Sequence, residues 1–437
     1  MDVVPVKRIQ AVLEMKPLDY KDMGPCGGFS TQYACYCDYY NMPYREEVRG
    51  EYRHPSYLTL FILQVAWDVD TIYFSHDTRE LALTDFEHLD QRDLICIISA
   101  LEHNTWFTKL KASANTKLSN EVLDKIISVV SKSMSLQEIH LSSAGLRPDF
   151  FQKLGTAMSS NQYCNLVTFD ISLNFVEDKG LTSLSHVVGH LPRGTKHLNL
   201  AHCNLSGKGV NPLATALITN KLSLNSLTYL NLAGNIIKDE VQALVDFLAQ
   251  PNVVSILDLS STDVPSEILF SALVRGCTQQ LSHLNLARNP FLTKKSKGDV
   301  PSTFKQFFAN TLGLKYLNLS HCKLPIDALK HLLLGLACNE TIADVELNIS
   351  NNNIGAAGAG VVENALPGVK CITRLDVSEN NLDVELASVV NGVTRNRYLQ
   401  SLNISKNLPK IKARDVTHVM DAIVQLIQVS FLSESLN

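Results

Sequence analysis

Leucine and other large apolar residues recur along most of the chain in the spacing LxxLxLxxNxL, with polar residues between them. One clear copy consists of Leu227, Leu230, Leu232, Asn235 and Ile237. The alternation of apolar and polar positions predicts a short β-strand in each copy. Eleven copies are present, and they begin at Phe107, Leu136, Leu166, Thr195, Leu227, Val254, Leu281, Leu314, an irregular site around Ile349, Ile372 and Leu399.

Between these strand motifs the apolar spacing becomes helical. Leu329, Leu332, Leu333 and Leu336 stand at i, i+3, i+4 and i+7, and residues 122–129 follow a similar spacing. The copies lie about 29 residues apart, at the upper end of the range for leucine-rich repeats. A single repeat cannot bury its leucines alone, whereas stacked repeats bury them in one continuous core. We therefore predict an α/β leucine-rich-repeat solenoid, a ribonuclease-inhibitor-like horseshoe with a parallel concave sheet and convex helices.

The pattern divides the chain into four parts. Residues 1–68 form an N-terminal linker segment, in which residues 26–44 are predicted to be a Gly-, Cys- and Tyr-rich loop. Residues 69–105 resemble a repeat only loosely and are interpreted as an N-terminal capping unit, because terminal repeats are atypical. Residues 106–428 form the repeat array, and residues 429–437 are an off-pattern tail.

Composition and charge exclude several classes of protein. Of 437 residues, 45% are hydrophobic and 19% charged, so most of the chain can fold around a core. The net charge of −4 provides no overall basic field for nucleic acid. The longest apolar run, residues 57–67, is about half the length that crosses a bilayer. Ten scattered cysteines without a CxxC pair, and a start unlike a secretion signal, favour a reduced cytoplasmic compartment.

Motifs for catalysis are absent from the sequence. It contains no phosphate loop and no HExxH, GxSxG or GxGxxG pattern, so we predict no enzymatic activity and no cofactor. Cys26, Cys35 and Cys37 form a cluster that could in principle bind a metal. Their spacing differs from that of paired zinc ligands and no His lies nearby, so a structural role is preferred.

The asparagine near the end of each motif is predicted to be structural. It follows the strand, where the backbone groups of the turn cannot all find partners in the sheet. Cysteine takes this position in two repeats, as the leucine-rich-repeat pattern permits. The predicted structural turn positions are Asn174, Cys203, Asn235, Asn289, Cys322, Asn380 and Asn407.

Two columns of side chains are expected on the concave face, because residues between the buried leucines of a strand point away from the core. The central column is nearly all Asn and Asp, and it reads His140, Asp170, Asn199, Asn231, Asp258, Asn285, Asn318, Asp376 and Asn403. We interpret it as a ladder of short polar side chains rather than a ligand site. The neighbouring column supplies candidate protein contacts, namely His197, Tyr229, Ile256, His283 and Tyr316. Such rings are typical of binding hot spots, and they also pack on one another across strands, so both explanations stay open.

Several longer strings are more specific than the repeat consensus. They are GPCGGFSTQYACYCDY, WDVDTIY, DTRELALTDFEHLDQRDLICIISALEHNTWFTKL, FLAQPN, ALVRGC, VPSTFKQFF and LLLGLACN. Through these strings the chain, from Gly24 to about Gln428, resembles the leucine-rich-repeat region of the CARMIL family, the linkers of actin capping protein and myosin-I.

The resemblance implies a non-enzymatic protein-interaction scaffold of the cytoplasm, the cytoskeleton and the leading edge of the cell. Such proteins regulate capping protein during actin filament organisation, lamellipodium assembly and cell migration. The resemblance assigns the contacts with capping protein and myosin-I, plasma-membrane association and homodimerisation to regions outside this chain, which we expect to be truncated at both ends. The alternative on fold alone is a ligand-sensing ribonuclease-inhibitor-like repeat module of a different class.

One internal segment departs from the family pattern. Between Glu47 and Trp67 the family runs almost directly from one string to the next, whereas this chain inserts residues 49–66. We expect residues 49–66 and the tail at 429–437 to be retained intron sequence, with the insertion forming a surface loop.

Overall fold

The computed structural model describes residues 28–45, 79–112, 117–238, 240–292 and 299–434. The predicted insertion at 49–66 and Cys26 lie outside these residues. The chain divides into two compact units, residues 1–203 and residues 204–437.

In the described part of the first unit, five short strands run parallel and pair in chain order. They are β1 (Glu80–Ala82), β2 (Lys109–Lys111), β3 (Glu138–His140), β4 (Thr168–Asp170) and β5 (His197–Asn199). Their register aligns the second apolar position of the motif, and the side chains of Leu81, Leu110, Ile139, Phe169 and Leu198 are all fully buried. Stacking of repeats therefore buries a continuous apolar column in this unit, as the spacing predicts.

One helix precedes β1, and a helix lies between each pair of consecutive strands in this unit. They are α1 (Phe29–Tyr40), α2 (Gln91–Ser99), α3 (Asn120–Lys132), α4 (Pro148–Ser160) and α5 (Glu177–Val188). Ser119 caps α3 by accepting the N–H of Val122 at 3.3 Å. The residues that predicted this helix, Val122, Ile126 and Val129, are fully buried.

The described part of the second unit contains seven parallel strands, also paired in chain order. They are β6 (Tyr229–Asn231), β7 (Ile256–Asp258), β8 (His283–Asn285), β9 (Tyr316–Asn318), β10 (Val345–Asn348), β11 (Ile372–Asp376) and β12 (Ser401–Asn403). The copy that is irregular in sequence contains β10. Val345 pairs with Ile372 while Glu346 pairs with Arg374, so Thr373 is an extra residue in β11, as in a β-bulge.

Two helices precede β6, and a helix follows each strand of the second unit. They are α6 (Gly207–Thr219), α7 (Lys221–Leu224), α8 (Gln242–Ala249), α9 (Ser266–Gly276), α10 (Ser302–Asn310), α11 (Ile326–Cys338), α12 (Gly355–Ala365), α13 (Leu386–Thr394) and α14 (Ala413–Glu434). Helix α14 continues through most of residues 429–437. Of the helices in the described ranges, none is long and apolar enough to cross a membrane.

Aromatic side chains fill the core between α9 and α10. Phe270 meets Phe304 edge to face with ring centroids 4.6 Å apart, and Phe291 meets the same ring at 5.0 Å. Edge-to-face pairs add about 0.5–1.5 kcal/mol to the gain from burial. With parallel strands alternating with helices in both units, the predicted α/β leucine-rich-repeat fold is confirmed.

The prediction of a loop at 26–44 is wrong, because residues 29–40 form helix α1. Phe29, Tyr33 and Cys37 recur every four residues, and all three are buried. Phe29 packs edge to face on Phe107 at 5.1 Å. The aliphatic residues that indicate the other helices are absent from this face, so the apolar spacing of this segment does not predict a helix. Part of the predicted linker is thus a helix that packs against α2 and Phe107.

Candidate functional site

A buried polar side chain holds the turn after several of the motif strands. Asn174 is only 3% exposed, and its Nδ2 donates to the carbonyls of Leu141 at 2.8 Å and Ile171 at 2.9 Å. Its Oδ1 accepts the N–H groups of Gly145 and Leu146, both at 2.9 Å. Three of these four groups belong to the preceding repeat, so Asn174 ties neighbouring repeats together.

Four asparagines of the second unit have the same arrangement, and each bonds a backbone group of the repeat before it. Asn235 accepts from Leu205 N–H, Asn289 donates to Leu259 O, Asn380 to Ile349 O and Asn407 to Val377 O. All four are buried.

Thiols replace the amide in two of these turns. Cys203 Sγ donates to the carbonyl of Ile171 at 3.2 Å, and Cys322 Sγ donates to that of Leu286 at 3.2 Å. Burial raises the pKa of Cys203 to about 12 and that of Cys322 to about 11. Both groups are therefore protonated thiols at neutral pH, with little of the thiolate that redox or metal chemistry requires.

A second set of buried asparagines lies outside the predicted turn positions, and the sequence did not predict its structural role. Asn161, Asn339 and Asn396 end helices of the array, and each Nδ2 donates to two carbonyls of the preceding repeat at 2.7–2.8 Å. Each Oδ1 accepts an N–H two residues later. An Asn shortly before the first apolar position of the motif is the signal that could have identified them.

The two cysteines on α1 lie in different environments. Cys35 is exposed, whereas Cys37 is buried and hydrogen-bonded to Cys96. Burial raises the pKa of Cys96 to about 12. A search of the described residues finds no group of three or more His, Cys, Asp or Glu side chains that could hold a metal ion.

Several side chains of the central Asn and Asp column form hydrogen bonds with neighbouring residues of the array. Asp258 Oδ1 accepts the N–H and the hydroxyl of Ser260, at 2.9 and 2.7 Å, and its Oδ2 accepts Asn285 Nδ2 at 3.0 Å. Asp376 repeats this arrangement with Ser378 and Asn403. These bonds shape the turn that follows each strand, in the manner of Asx-turns.

The neighbouring column brings four of the five candidate contact residues into register in the second unit. Tyr229 pairs with Ile256, Ile256 with His283, and His283 with Tyr316. His283 is exposed and the other three are half-buried. The rings of His283 and Tyr316 stack with centroids 6.0 Å apart. We call these four residues the ring row.

The two tyrosine hydroxyls of the ring row are oriented by the central column. Asn231 Nδ2 donates to Tyr229 Oη and Asn318 Nδ2 donates to Tyr316 Oη, both at 3.2 Å. Burial raises the pKa of Tyr316, so its hydroxyl is neutral at physiological pH. The rings are thus held in place while part of each surface remains accessible.

The fifth candidate, His197, belongs to the first unit. It is half-buried on β5 and pairs in register with Thr168. Burial lowers its pKa, with the nearby Asp170 opposing the effect. His197 is therefore mostly neutral at pH 7.

Ion pairs follow the same column beyond the ring row. Glu346 pairs in register with Tyr316, and it accepts a hydrogen bond from Arg374 Nε at 2.9 Å. In the first unit, Glu138 contacts Lys109 at 3.3 Å and His140 at 3.2 Å. In the second unit, the ring row is thus followed on the next two strands by a charged pair, Glu346 and Arg374.

The amino-acid sequence matches a known family over most of its length. The model of the CARMIL family leucine-rich-repeat domain matches residues 26–436. Human "Capping protein, Arp2/3 and myosin-I linker protein 3" is 40% identical over 406 residues, which cover 92% of this chain and 28% of that protein. "Protein CARMIL" of Dictyostelium discoideum is 30% identical over 96% of this chain and 38% of its own length.

A protein of another class is more distant. Mouse "NACHT, LRR and PYD domains-containing protein 14" is 27% identical over 63% of this chain and 27% of its own length. The chain spans little more than a quarter of the length of the human relative.

Proposed function

Because this chain belongs to the CARMIL family, we propose that it is a protein-interaction scaffold in the regulation of actin capping protein, and that it contacts its partners through the ring row. The observation that supports this contact surface is the alignment of Tyr229, Ile256, His283 and Tyr316 on adjacent strands. Half-exposed aromatic side chains on a rigid sheet give a large contact area at a low cost in conformational entropy.

The proposed partners are proteins of actin filament organisation. The name of the human relative supports capping protein and myosin-I as members of the same assembly. The proposed location is the cytoplasm, at the cytoskeleton and the leading edge, in lamellipodium assembly and cell migration. The alternative, a ligand-sensing repeat module of a different class, is not favoured, because the family model covers residues 26–436 and the CARMIL relatives are more similar over more of the chain than the NACHT, LRR and PYD protein is.

We also propose that the chain has no enzymatic activity. The human relative is named as a linker protein, and several polar side chains of the array are hydrogen-bonded within the turns described above. Cys203, Cys322 and Asp258 illustrate this, since each bonds backbone or neighbouring side chains of the array.

The test is affinity capture from cytosol with the immobilised chain, followed by quantitative mass spectrometry. Tyr229→Ala/Tyr316→Ala should retain specific actin-associated partners at least tenfold less than the unaltered chain, since truncated hot spots cost about 2 kcal/mol or more. Its melting temperature should change little.

The matched control removes two exposed tyrosines elsewhere. Tyr163 is 65% exposed and Tyr398 is 47% exposed, and neither belongs to the ring row. Tyr163→Ala/Tyr398→Ala should retain the partners fully. Unchanged capture by Tyr229→Ala/Tyr316→Ala together with a large drop in melting temperature would mean that the rings are packing elements.

A further inference from the structure

Two buried thiols meet where helix α1 packs against α2. Cys37 of α1 and Cys96 of α2 are each 1% exposed, and both are free cysteines. Their thiols are hydrogen-bonded to each other, and Cys37 is also hydrogen-bonded to Tyr33. The packing of the two helices therefore holds two sulfur atoms in contact without a covalent bond between them.

Residues one turn away on each helix hold this pair of thiols in place. Asp93 precedes Cys96 by three residues on α2, and its carboxylate accepts two hydrogen bonds from the Arg45 guanidinium at 2.9–3.0 Å. Tyr33 precedes Cys37 by four residues on α1, and its Oη accepts the N–H of Arg45 at 3.0 Å. Arg45 thus joins the faces of α1 and α2 that carry the two thiols.

Burial controls the reactivity of both thiols. It raises the pKa of Cys37, and it raises the pKa of Cys96 to about 12. The thiolate is the form that reacts with oxidants, so the docked pair is protonated and unreactive at neutral pH. When α1 opens, both thiols enter water, where the pKa of a cysteine is about 8.5. Opening of α1 is therefore the step that makes the pair reactive.

We propose that Cys37 and Cys96 are a redox site whose disulfide holds α1 on α2 when the chain encounters a peroxide. In the opened chain, one thiolate attacks a peroxide oxygen, and after protonation of the leaving hydroxide the products are a sulfenic acid and water. When α1 docks again, the other sulfur attacks the sulfenic sulfur, the S–S bond forms and a second water leaves. The two thiols thus lose two electrons and two protons, and hydrogen peroxide is reduced to two molecules of water.

The disulfide changes how α1 is attached. Cys37 and Cys96 are 59 positions apart in the chain, so the bond closes a long loop and removes the conformations in which α1 is separated from α2. A thiol reductant reverses the bond by thiol–disulfide exchange. The site regulates the attachment of α1 and is independent of the ring row, so it goes beyond the proposed scaffold function.

The test treats the full chain with hydrogen peroxide, blocks the remaining thiols and maps the peptides by mass spectrometry without reduction. Digestion with trypsin and chymotrypsin cleaves after Tyr36, which separates Cys35 from Cys37. We expect a pair of peptides joined through Cys37 and Cys96, which dithiothreitol releases. Cys37→Ala and Cys96→Ala should each abolish this pair. Cys35→Ala, the matched change at the exposed cysteine of α1, should leave it unchanged.

Hydrogen exchange on the same samples measures the attachment of α1. Amides of residues 29–40 should exchange at least tenfold more slowly in the oxidised chain, and peroxide should cause no such change in Cys37→Ala. Glu102→Gln should speed disulfide formation at least threefold at neutral pH, because Glu102 accepts a hydrogen bond from Tyr36 Oη at 2.8 Å and its substitution favours opening of α1. Glu121→Gln, on the exposed face of α3, should form the disulfide at the rate of the unaltered chain.

Three results count against this redox site. Peroxide treatment that leaves Cys37 and Cys96 as thiols, or joins either of them to another cysteine, would overturn the proposal. A disulfide between Cys37 and Cys96 that leaves the exchange of residues 29–40 unchanged would reject its effect on α1. Disulfide formation at equal rates in Glu102→Gln and the unaltered chain would contradict the route through opening of α1.

Discussion

Single buried amides hold the repeats of this chain together. Asn289 is 1% exposed, and its Nδ2 donates to Leu259 O at 2.6 Å and Leu286 O at 3.0 Å. Its Oδ1 accepts the N–H of Thr262 at 2.9 Å. An apolar side chain of similar size could not satisfy these groups, which explains why the position is polar although it lies inside the core.

We expect Asn289→Ala to lower the free energy of unfolding by about 3 kcal/mol, because it leaves two buried carbonyls and one buried N–H without this partner. Chemical denaturation followed by circular dichroism measures the change. Asn364→Ala is the control, since Asn364 is exposed and bonds only a carbonyl within its own helix, Gly360 O. A loss for Asn289→Ala no greater than that of the control would show that water replaces the amide in the turn.

At the level of elements, a buried carboxylate, Glu102, links helix α1 to helix α3. Glu102 is 2% exposed and accepts hydrogen bonds from Tyr36 Oη at 2.8 Å, Ser128 Oγ at 2.6 Å and Lys132 Nζ at 2.6 Å. Burial raises the pKa of Glu102, but these hydrogen bonds outweigh burial and the net pKa is lowered. Arg45 reinforces the attachment through a bidentate pair with the buried Asp93 at 2.9–3.0 Å.

This chemistry predicts that the attachment of α1 depends on pH. A carboxylate whose pKa is lowered by folding stabilises the folded state above its unfolded pKa of about 4.3, and the contribution is lost as pH falls through the lower folded value. Amide exchange of residues 29–40, corrected for intrinsic rates, should therefore accelerate below about pH 4 relative to the rest of the unit.

Glu102→Gln should accelerate the same exchange at neutral pH by weakening a buried ionic contact. Glu121→Gln, on the exposed face of α3, should follow the unaltered chain at every pH. If exchange at 29–40 in Glu102→Gln retained the acid transition of the unaltered chain, another group would be responsible for it.

On the scale of the whole molecule, the burial of equivalent apolar side chains is unequal along the array. Val389 and Val393 of α13 are 0% and 5% exposed. The turn residues Asn380 and Asn407 of consecutive repeats are 27 positions apart, so Val416 and Met420 on α14 are the equivalents of Val389 and Val393. Val416 and Met420 are nevertheless 38% and 51% exposed. The strand β12 is likewise only partly buried, whereas Leu284 and Leu317 on the central strands are fully buried.

We expect local unfolding to begin at this end of the second unit. Amides of residues 395–428 should exchange faster than those of residues 281–291. Few buried apolar side chains stabilise residues 395–428 against local opening. Hydrogen exchange with mass spectrometry on the intact chain measures both regions in one experiment. Equal protection of the two would mean that α14 is an effective cap for the array.

The sequence by itself determined the repeat, its strands and the residues of its core. The motif is local and periodic, so a leucine at a given position meets the same neighbours in every repeat, and the pattern encodes those neighbours directly. The turn asparagines and the register of Tyr229, Ile256, His283 and Tyr316 follow from the same periodicity. Where the periodicity was disturbed, at β10, the structure accommodates one extra residue in β11 as a bulge.

Only the tertiary structure decided the features that depend on contacts outside the motif. Helix α1 has little aliphatic periodicity and is held by groups far along the chain, such as Glu102 and Asn104. The helix-end asparagines act on carbonyls about thirty residues earlier, at a position that the consensus does not mark. The partners of the central column are also a tertiary feature, since a sequence does not state that Asp258 bonds both Ser260 and Asn285.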